Sequence, residues 1–263
     1  MKTIPVILLI SFTFYTCTFK EDLRYVKQYS IGETNVFIVE QCRYPCHPGI
    51  LFVNVHDNEN TSVKAAEYYL KEVGGRLINI ENNGERFINF SYKGEYFSFD
   101  PNRIFSSAGI DSTVKLLSSQ YNPAAATLVA DFAARLISDF IDSTNLIVSL
   151  HNNRDSSLSI ISYKNDHKIN KDLGQIFINP AMDADDFILT TDTSLFKRIK
   201  AKNINVFFEN ADVIKDDGSL SVYAARHNIP YLNVEAQHEH LEEQVAMLRL
   251  LEDIVKEYRE EMR

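Results

Sequence analysis

The chain lacks several features that would place it at once in a class of proteins. It has no run of lysine and arginine long enough to follow a phosphate backbone, and the formal net charge of its 263 residues is −9. Nucleic-acid binding depends on such a basic surface, so we expect no nucleic-acid partner. There is also no internal repeat, no low-complexity stretch and no linker rich in proline, glycine or serine. With 45% hydrophobic residues to build a core, one domain over residues 18–263 is predicted.

Cysteine is scarce, with only three residues in the chain. Cys42 and Cys46 are separated by a short segment in which Pro45 would have to turn the chain for the two sulfurs to meet. In an oxidising compartment a disulfide between them is the preferred interpretation. The alternative, a zinc site built from Cys42, Cys46 and His47, lacks a second pair of cysteine or histidine ligands.

The amino terminus carries an apolar stretch, residues 4–15, that is too short to span a bilayer comfortably. It follows the positive charge of Lys2, and this order is typical of an export signal. Cys17 comes next in a context that resembles a loose bacterial lipoprotein site, although Tyr15-Thr16 departs from the usual small residues. We therefore predict a signal peptide over residues 1–17 and an exported, periplasmic or cell-envelope protein, attached to the membrane if Cys17 carries a lipid. Plain signal cleavage and a buried N-terminal helix are the alternatives.

Strand-like and helix-like patterns alternate along the remaining chain. The strands are continuous apolar runs, as in sheets that are covered on both faces, so we predict a three-layer α/β sandwich around a mixed, largely parallel sheet. Lys93-Gly94 is predicted to turn a hairpin between residues 86–92 and 95–99. The other strands are predicted at 35–40, 50–55, 77–80, 146–150, 158–163, 176–178, 206–208 and 231–234, and the helices at 62–73, 124–140, 193–201, 219–227 and 240–263.

One pair of residues suggests a metal site. His56 and Glu59 follow the apolar strand 50–55, where an imidazole nitrogen and a carboxylate oxygen three positions apart can bind one Zn²⁺. His240 and Glu243 repeat this spacing. They open a charged segment that is typical of the exposed first turn of an amphipathic helix, so we select the first pair.

Two further polar residues follow apolar strands, His151 after residues 146–150 and Glu235 after residues 231–234. Sites in open α/β sheets form beyond the carboxyl ends of strands, so the fold is expected to bring both residues to His56. For a histidine taken alone, a core or loop residue whose hydrogen bonds are satisfied is the simpler alternative.

A loop after the predicted hairpin contains Asn102 and Arg103. A planar guanidinium beside an amide suits the recognition of a carboxylate. A polar turn on the surface is the alternative interpretation of this pair.

The order of these residues, His56-x-x-Glu59, Asn102-Arg103, His151 and Glu235, resembles the zinc carboxypeptidase superfamily. This superfamily includes carboxypeptidase A-like enzymes and the succinylglutamate desuccinylase/aspartoacylase branch. The segment from Asp100 to Phe105 is similar to the Asp-Leu-Asn-Arg-x-Phe motif of that branch, with Pro101 as the departure. The resemblance covers about residues 50–240 and implies a zinc carboxypeptidase-like fold.

The resemblance also implies functional roles. It implies one Zn²⁺ per chain held by His56, Glu59 and His151. Two neutral imidazoles and one carboxylate would leave the ion a net charge of about +1 and an open position for a water, whose proton becomes easier to remove. Glu235 is implied to take that proton and return it to the leaving amine.

For the substrate, the resemblance implies that Asn102 and Arg103 bind its carboxylate. The superfamily also has an arginine that stabilises the oxyanion, and Arg86 is our candidate, although it lies further from Asn102 in sequence than the desuccinylase pattern suggests. Tyr163 and Tyr223 are the two candidates for the superfamily's mobile tyrosine.

The sequence thus predicts an exported zinc-dependent hydrolase that cleaves an amide bond next to a free carboxylate. Its substrates would be small peptides or N-acyl amino acids, with the protein acting as a carboxypeptidase or as a deacylase. A non-catalytic ligand-binding envelope lipoprotein on the same scaffold is the alternative. A serine hydrolase is disfavoured because no G-x-S-x-G elbow is present. His238 is expected to lie in the loop after Glu235, with a place in the pocket as the alternative.

Overall fold

The computed structural model of the chain describes residues 22–46, 49–155, 158–165, 174–210 and 212–260. The predicted signal peptide with Cys17, and His47 of the alternative zinc site, lie outside these residues. Within the described ranges, no helix is long and apolar enough to cross a membrane.

Most strands of the described chain form one nine-stranded sheet, and two form a separate hairpin. The strands are β1 (Leu23–Ile31), β2 (Thr34–Arg43), β3 (Ile50–Asn54), β4 (Gly75–Glu81), β5 (Ile88–Tyr92), β6 (Glu95–Phe99), β7 (Leu146–Asn153), β8 (Gly174–Phe177), β9 (Phe187–Thr190), β10 (Val206–Glu209) and β11 (Tyr231–Gln237). The order across the large sheet is β1-β2-β4-β3-β7-β11-β9-β10-β8.

The centre of the sheet is parallel. Strands β4, β3, β7 and β11 run side by side in one direction. On one flank, β2 is antiparallel to both β4 and β1. On the other flank, the β11–β9 and β10–β8 pairs are antiparallel. The central strands are buried on both faces, as their continuous apolar sequences predict. The predicted mixed α/β sheet is confirmed.

Helices cover both faces of this sheet. Helices α2, α3 and α6 contribute to the apolar core on one face, together with the β5–β6 hairpin, and α1, α5, α7 and α8 contribute to the core on the other. The three predicted layers are therefore present. The helices are α1 (Asn60–Val73), α2 (Ser107–Leu117), α3 (Pro123–Leu136), α4 (Ile160–Asn165), α5 (Thr193–Ala201), α6 (Leu220–Arg226), α7 (Leu241–Leu250) and α8 (Glu252–Glu260).

Local sequence signals explain several boundaries. Helix α1 stops at Gly74, whose φ of 75° is a left-handed conformation that favours glycine. Lys93 and Gly94 have φ values of 52° and 78°, which is the two-residue turn expected between β5 and β6. The predicted hairpin is confirmed.

Some predicted elements are wrong. Residues 158–163 do not form a strand, because α4 begins at Ile160 and packs that side chain into the core. A short apolar run rich in β-branched residues cannot by itself distinguish a strand from a buried helical turn. The predicted closing helix, residues 240–263, is divided at Leu251 into α7 and α8. Strands β1 and β9 and helix α2 were not predicted, and β1, which is exposed over most of its length, has no continuous apolar run.

The two described cysteines form a disulfide. Cys42 and Cys46 are bonded, with their Cα atoms 5.4 Å apart, and the Tyr44–Pro45 peptide bond between them is cis. The disulfide interpretation of this segment is confirmed over the zinc interpretation.

Candidate active site

The pairing of two central strands brings two of the predicted residues together. His151 on β7 lies opposite Glu235 on β11 in the parallel register. Paired residues on neighbouring strands present their side chains on the same face of the sheet. The sequence placed both residues just after their strands, which is wrong in detail, because β7 continues to Asn153 and β11 to Gln237.

His56 and Glu59 lie beyond the carboxyl end of β3, next to β7 in the sheet. A tight turn joins them, in which the Glu59 N–H donates to the His56 carbonyl oxygen over 3.0 Å. Glu59 directly precedes α1, and its carbonyl oxygen accepts from the N–H of Ser62 at 3.2 Å. The positive end of the helix dipole therefore favours a negative charge on Glu59.

The three residues converge on the Glu59 carboxylate. His56 Nδ1 lies 2.9 Å from Glu59 Oε1, and His151 Nδ1 lies 2.9 Å from Glu59 Oε2. One ligand atom from each residue falls within 4.8 Å of the others, and all three side chains are buried. The structure thus assembles the predicted ligand set from segments that are far apart in sequence.

The hydrogen bonds of this group fit a metal ion. His56 Nδ1 is buried without a hydrogen-bond partner, since its approach to Glu59 lacks hydrogen-bond geometry. Its other nitrogen, Nε2, contacts Asp100 Oδ1 at 2.8 Å, and His151 Nε2 contacts Ser149 Oγ at 3.1 Å. Metal-binding histidines use one nitrogen for the ion and fix the ring through the other. Two imidazoles and a carboxylate are a donor set that suits Zn²⁺.

The group also holds its charges in a defined state. Burial alone would raise the pKa of Glu59, but His151 and His56 outweigh it and hold that pKa well below its usual range. Burial lowers the pKa of His56, but the hydrogen bond to Asp100 and the negative charge of the adjacent Glu59 more than compensate, so the pKa is raised. Arg86 adds a further positive charge, with Nη1 2.5 Å from Glu59 Oε1. Glu59 is therefore a charged carboxylate held between two imidazoles and a guanidinium.

Glu235 is buried beside this group, and it forms no ion pair with any residue that the structure describes. Its Oε1 accepts a hydrogen bond from Asn233 Nδ2 at 3.1 Å. Burial raises the pKa of Glu235, and the charge of His151 offsets part of that effect. A carboxyl group whose pKa is moved towards neutrality can both accept and donate a proton.

A cavity of about 760 Å³ opens onto these residues, and Asn102 and Arg103 line it as well. Asn102 Oδ1 accepts from the N–H of Leu220 at 3.1 Å, and Arg103 Nη1 donates to the Asn102 carbonyl oxygen at 2.8 Å. Arg103 Nη2 lies 3.6 Å from Asp217 Oδ2. The predicted carboxylate-binding loop is therefore anchored to the start of α6 while its guanidinium borders the cavity.

Two glycines permit this anchoring. A Cβ on Gly109 would come within 2.4 Å of the Gly218 Cα, and a Cβ on Gly218 would come within 2.5 Å of the Arg103 carbonyl oxygen. Gly218 also has a φ of 77°, which side chains with a Cβ rarely adopt. The segment that contains Gly218 also places Asp217 beside Arg103.

Some of the remaining tyrosine and histidine candidates from the sequence line this cavity, and others lie elsewhere. Tyr163 and His238 line the cavity, so His238 has a place in the pocket as well as in the loop. Tyr223 instead borders a different cavity, where its ring stacks on His227. His240 forms an ion pair with Asp186 Oδ2 at 3.1 Å and immediately precedes α7, as expected for a helix start.

Two residues of the site are not identified by the sequence analysis. Asp100 begins the segment that resembles the Asp-Leu-Asn-Arg-x-Phe motif, but its contact with His56 Nε2 is visible only in the structure. Glu209 lines the cavity at the end of β10, directly after a predicted apolar strand. The criterion that selected His151 and Glu235, a polar residue after such a strand, would have found Glu209 too.

Comparison with known proteins gives similar folds at low sequence identity. No protein-family profile and no curated protein matches the chain. Among solved structures, it is similar to a succinylglutamate desuccinylase/aspartoacylase from Rhodobacter sphaeroides, with 14% identity and a TM-score of 0.45 over 88% of this chain and 65% of that one. It is also similar to a murein-tripeptide amidase from Escherichia coli O157, with 15% identity and a TM-score of 0.47 over 86% and 91%.

A third similar structure is an aspartoacylase family protein from Mesorhizobium loti, with 14% identity and a TM-score of 0.43 over 87% of this chain and 65% of that one. The chain thus spans slightly less than two thirds of the desuccinylase and aspartoacylase structures.

Proposed function

We propose that this chain is a zinc-dependent hydrolase that cleaves an amide bond next to a free carboxylate in a small peptide or an N-acyl amino acid. The observation that carries the proposal is the convergence of His56, Glu59 and His151 at a cavity that Glu235 and Arg103 also line. A metal-ligand set, a buried proton acceptor and a cationic group for the substrate are the parts that such a reaction needs.

The metal ion would be held by His56, Glu59 and His151. When bound, Zn²⁺ supplies a Lewis acid that polarises the scissile carbonyl and lowers the pKa of water. Asp100 and Ser149 contribute by fixing the two imidazole rings through their Nε2 atoms.

Glu235 is proposed to move the proton. Because it lies opposite His151 in the parallel register, its carboxylate is beside the ligands on the same face of the sheet. It takes a proton from the attacking water and returns it to the leaving amine. Burial raises the pKa of Glu235, which makes it a stronger proton acceptor than an exposed carboxylate.

Arginine side chains are proposed to bind the negative groups of the substrate. Arg103 binds the free carboxylate, and Asn102 orients it, because a guanidinium fork matches the two carboxylate oxygens. Arg86 lies at the metal end of the cavity, and its side chain is 42% exposed although it contacts Glu59. We assign it to the negative oxygen that develops on the scissile carbonyl.

Export is proposed from the sequence alone, through a signal in residues 1–17. A cleaved protein with a lipid on Cys17 would partition into detergent, whereas one without the lipid would stay in the aqueous phase.

The test of the function combines metal analysis with hydrolysis. Wild-type protein should contain about one Zn²⁺ per chain, and His56→Ala and His151→Ala should each lose it. His240→Ala is the matched control, since His240 has the same spacing to a glutamate but pairs with Asp186. The zinc-loaded protein should hydrolyse N-acyl amino acids or peptides with a free carboxylate faster than their amidated forms.

Two results would contradict the proposal. Unchanged zinc content in both histidine variants would mean that the metal binds elsewhere. Absence of turnover by zinc-loaded wild type across peptides and N-acyl amino acids would favour the alternative of a binding protein on this scaffold.

A further inference from the structure

The cavity contains a second buried glutamate that the proposed reaction does not use. Glu209 is the last residue of β10 and is 8% exposed. It follows the apolar core residue Phe207 by two positions and so shares its face of the sheet, the face on which β9 presents Leu189. Glu209 therefore belongs to the wall of the same cavity as the metal-ligand group.

In the part of the chain that the structure describes, Glu209 has no direct ion pair, and Arg103 is the cation whose charge acts on it. Its Oε2 accepts a hydrogen bond from Ser221 Oγ at 2.8 Å. Among the described residues, no lysine, arginine or histidine forms an ion pair with it, and Arg103 is instead paired with Asp217. Asp217 adds a second negative charge to this end of the cavity.

Such an arrangement is unfavourable unless something completes it. An ionised carboxylate that is buried without a cation loses its hydration and gains little in return. Burial accordingly raises the pKa of Glu209 to about 7, and the charge of Asp217 adds to this effect, while the Ser221 hydroxyl and the charge of Arg103 compensate only in part. Perturbed carboxyl groups of this kind are concentrated at binding sites.

The neighbouring walls favour an apolar arm that ends in a cation. Tyr163 and Leu189 line the cavity together with Glu209, and the Tyr163 ring stacks on Phe207 with centroids 4.5 Å apart. Aliphatic carbons can pack against Tyr163 and Leu189, and a cation beside a tyrosine ring gains a further attraction.

We infer that Glu209 is a specificity-determining residue, which binds a primary amine or a guanidinium at the end of the substrate's side chain. This inference rests on the proposed function and names its substrate class. The cavity would then bind two charged groups of one substrate. Arg103 would bind the carboxylate, and Glu209 would bind the cationic side chain. Lysine, arginine and related diamino acids have this chemistry.

The test compares substrates that differ in the terminal cation. N-benzoylglycyl and N-acetyl derivatives of L-lysine, L-arginine and L-norleucine are hydrolysed by zinc-loaded wild type, Glu209→Gln and Glu72→Gln. Glu72→Gln is the matched control, since it removes the same charge from an exposed pair with Arg249. Wild type and the control should prefer lysine or arginine over norleucine, and Glu209→Gln should reduce that preference about 10- to 100-fold, as for a charged hydrogen bond.

Calorimetric titration with free L-lysine, L-arginine and L-norleucine separates this inference from the proposed function. If no substrate is hydrolysed but Glu209→Gln abolishes binding of lysine or arginine, the proposed hydrolase fails and the cation site stands. If hydrolysis occurs with equal rates for lysine and norleucine, the inference is overturned and the hydrolase stands. If wild type neither hydrolyses the substrates nor binds the cationic amino acids, both the proposed hydrolase and the inferred cation site are overturned. If Glu209→Gln does not fold, the preference of wild type for lysine or arginine over norleucine still decides the inference.

Discussion

Glu59 and Glu209 are both buried glutamates that line one cavity, but their surroundings are opposite. Glu59 lies between two histidines and an arginine, at the positive end of α1, and is held in its charged form. Glu209 has a serine hydroxyl as its hydrogen-bond partner, and burial raises its pKa to about 7. At the metal end of the cavity, protein side chains stabilise the negative charge of Glu59. At the other end, we infer that a ligand stabilises the negative charge of Glu209.

This difference suggests that the proposed reaction and the recognition of the substrate side chain use different ends of the cavity. In the proposed hydrolase, the metal end keeps the same charge in every catalytic cycle, so its partners are provided by the protein. The Glu209 end must change between the free and the bound state, so its partner is best provided by the substrate. Glu235 lies between these cases, because it is buried without a cation of its own but next to His151.

The largest expected effect concerns this intermediate case. Glu235→Gln keeps the size and hydrogen-bonding capacity of the side chain but removes the proton acceptor, so the hydrolysis rate should fall by about 10²–10⁴-fold. Zinc content and the affinity for a slowly hydrolysed substrate analogue should stay close to wild type. Retained zinc with a near-normal rate would remove Glu235 from the mechanism and direct attention to His238, which lines the same cavity.

A smaller effect, on zinc affinity, is expected for the residues that contact the second nitrogen of each metal-binding histidine. Asp100→Asn removes the negative charge that faces His56 Nε2, and zinc affinity should fall by roughly 10- to 100-fold, as is usual for such supporting carboxylates. Ser149→Ala is the comparison variant, because it removes a neutral partner from His151 Nε2 and should cost less. Competition with a zinc chelator measures both, and an equal loss in the two variants would show that the charge on Asp100 has no special role.

The smallest effect is expected in stability at the Glu209 end. The pKa of Glu209 is about 7 when folded and 4.5 when exposed, so the unfolded chain ionises it first as the pH rises. Its contribution to stability is therefore lost progressively between about pH 4.5 and 7 and stays lost at higher pH. Glu209→Gln should be more stable than wild type at pH 8 by about 1 kcal/mol, since the buried amide recovers only part of the penalty.

Denaturant unfolding at pH 4.5 and pH 8 checks this sign. The difference between Glu209→Gln and wild type should grow in favour of the variant as the pH rises. A variant that is less stable at pH 8 than at pH 4.5, relative to wild type, would mean that the protein itself stabilises the charge on Glu209.

Several parts of the fold and site could be predicted because they depend on local sequence. The apolar strands, the turn at Lys93-Gly94 and the start of a site after residues 50–55 follow from patterns within a few residues. What joins His151 to Glu235 is the register between β7 and β11, and no local pattern encodes the pairing of strands. The sequence identified both residues from their strand ends and from the family resemblance, but it did not show that they face one another.

Other parts could not be predicted for different physical reasons. The run from Leu158 to Tyr163 has the composition of a strand, but packing of Ile160 against the core decides for a helix. Arg86 carries no motif of its own, and its contact with Glu59 depends on how the segment before β5 folds back on the site. The missing partner of Glu209 is a property of the surrounding fold, which composition alone cannot reveal.

The position of β7 between β3 and β11 makes the two halves of the proposed site depend on different strand pairs. His56 and Glu59 lie at the end of β3 and His151 on β7, so the β3–β7 pair is sufficient to hold the proposed ligand set. Glu235 depends instead on the pairing of β11 with the other edge of β7. Bound zinc would by mass action stabilise the β3–β7 pairing. A substitution that disturbs only the β7–β11 pairing is therefore expected to displace the proposed proton acceptor while the metal ligands stay together.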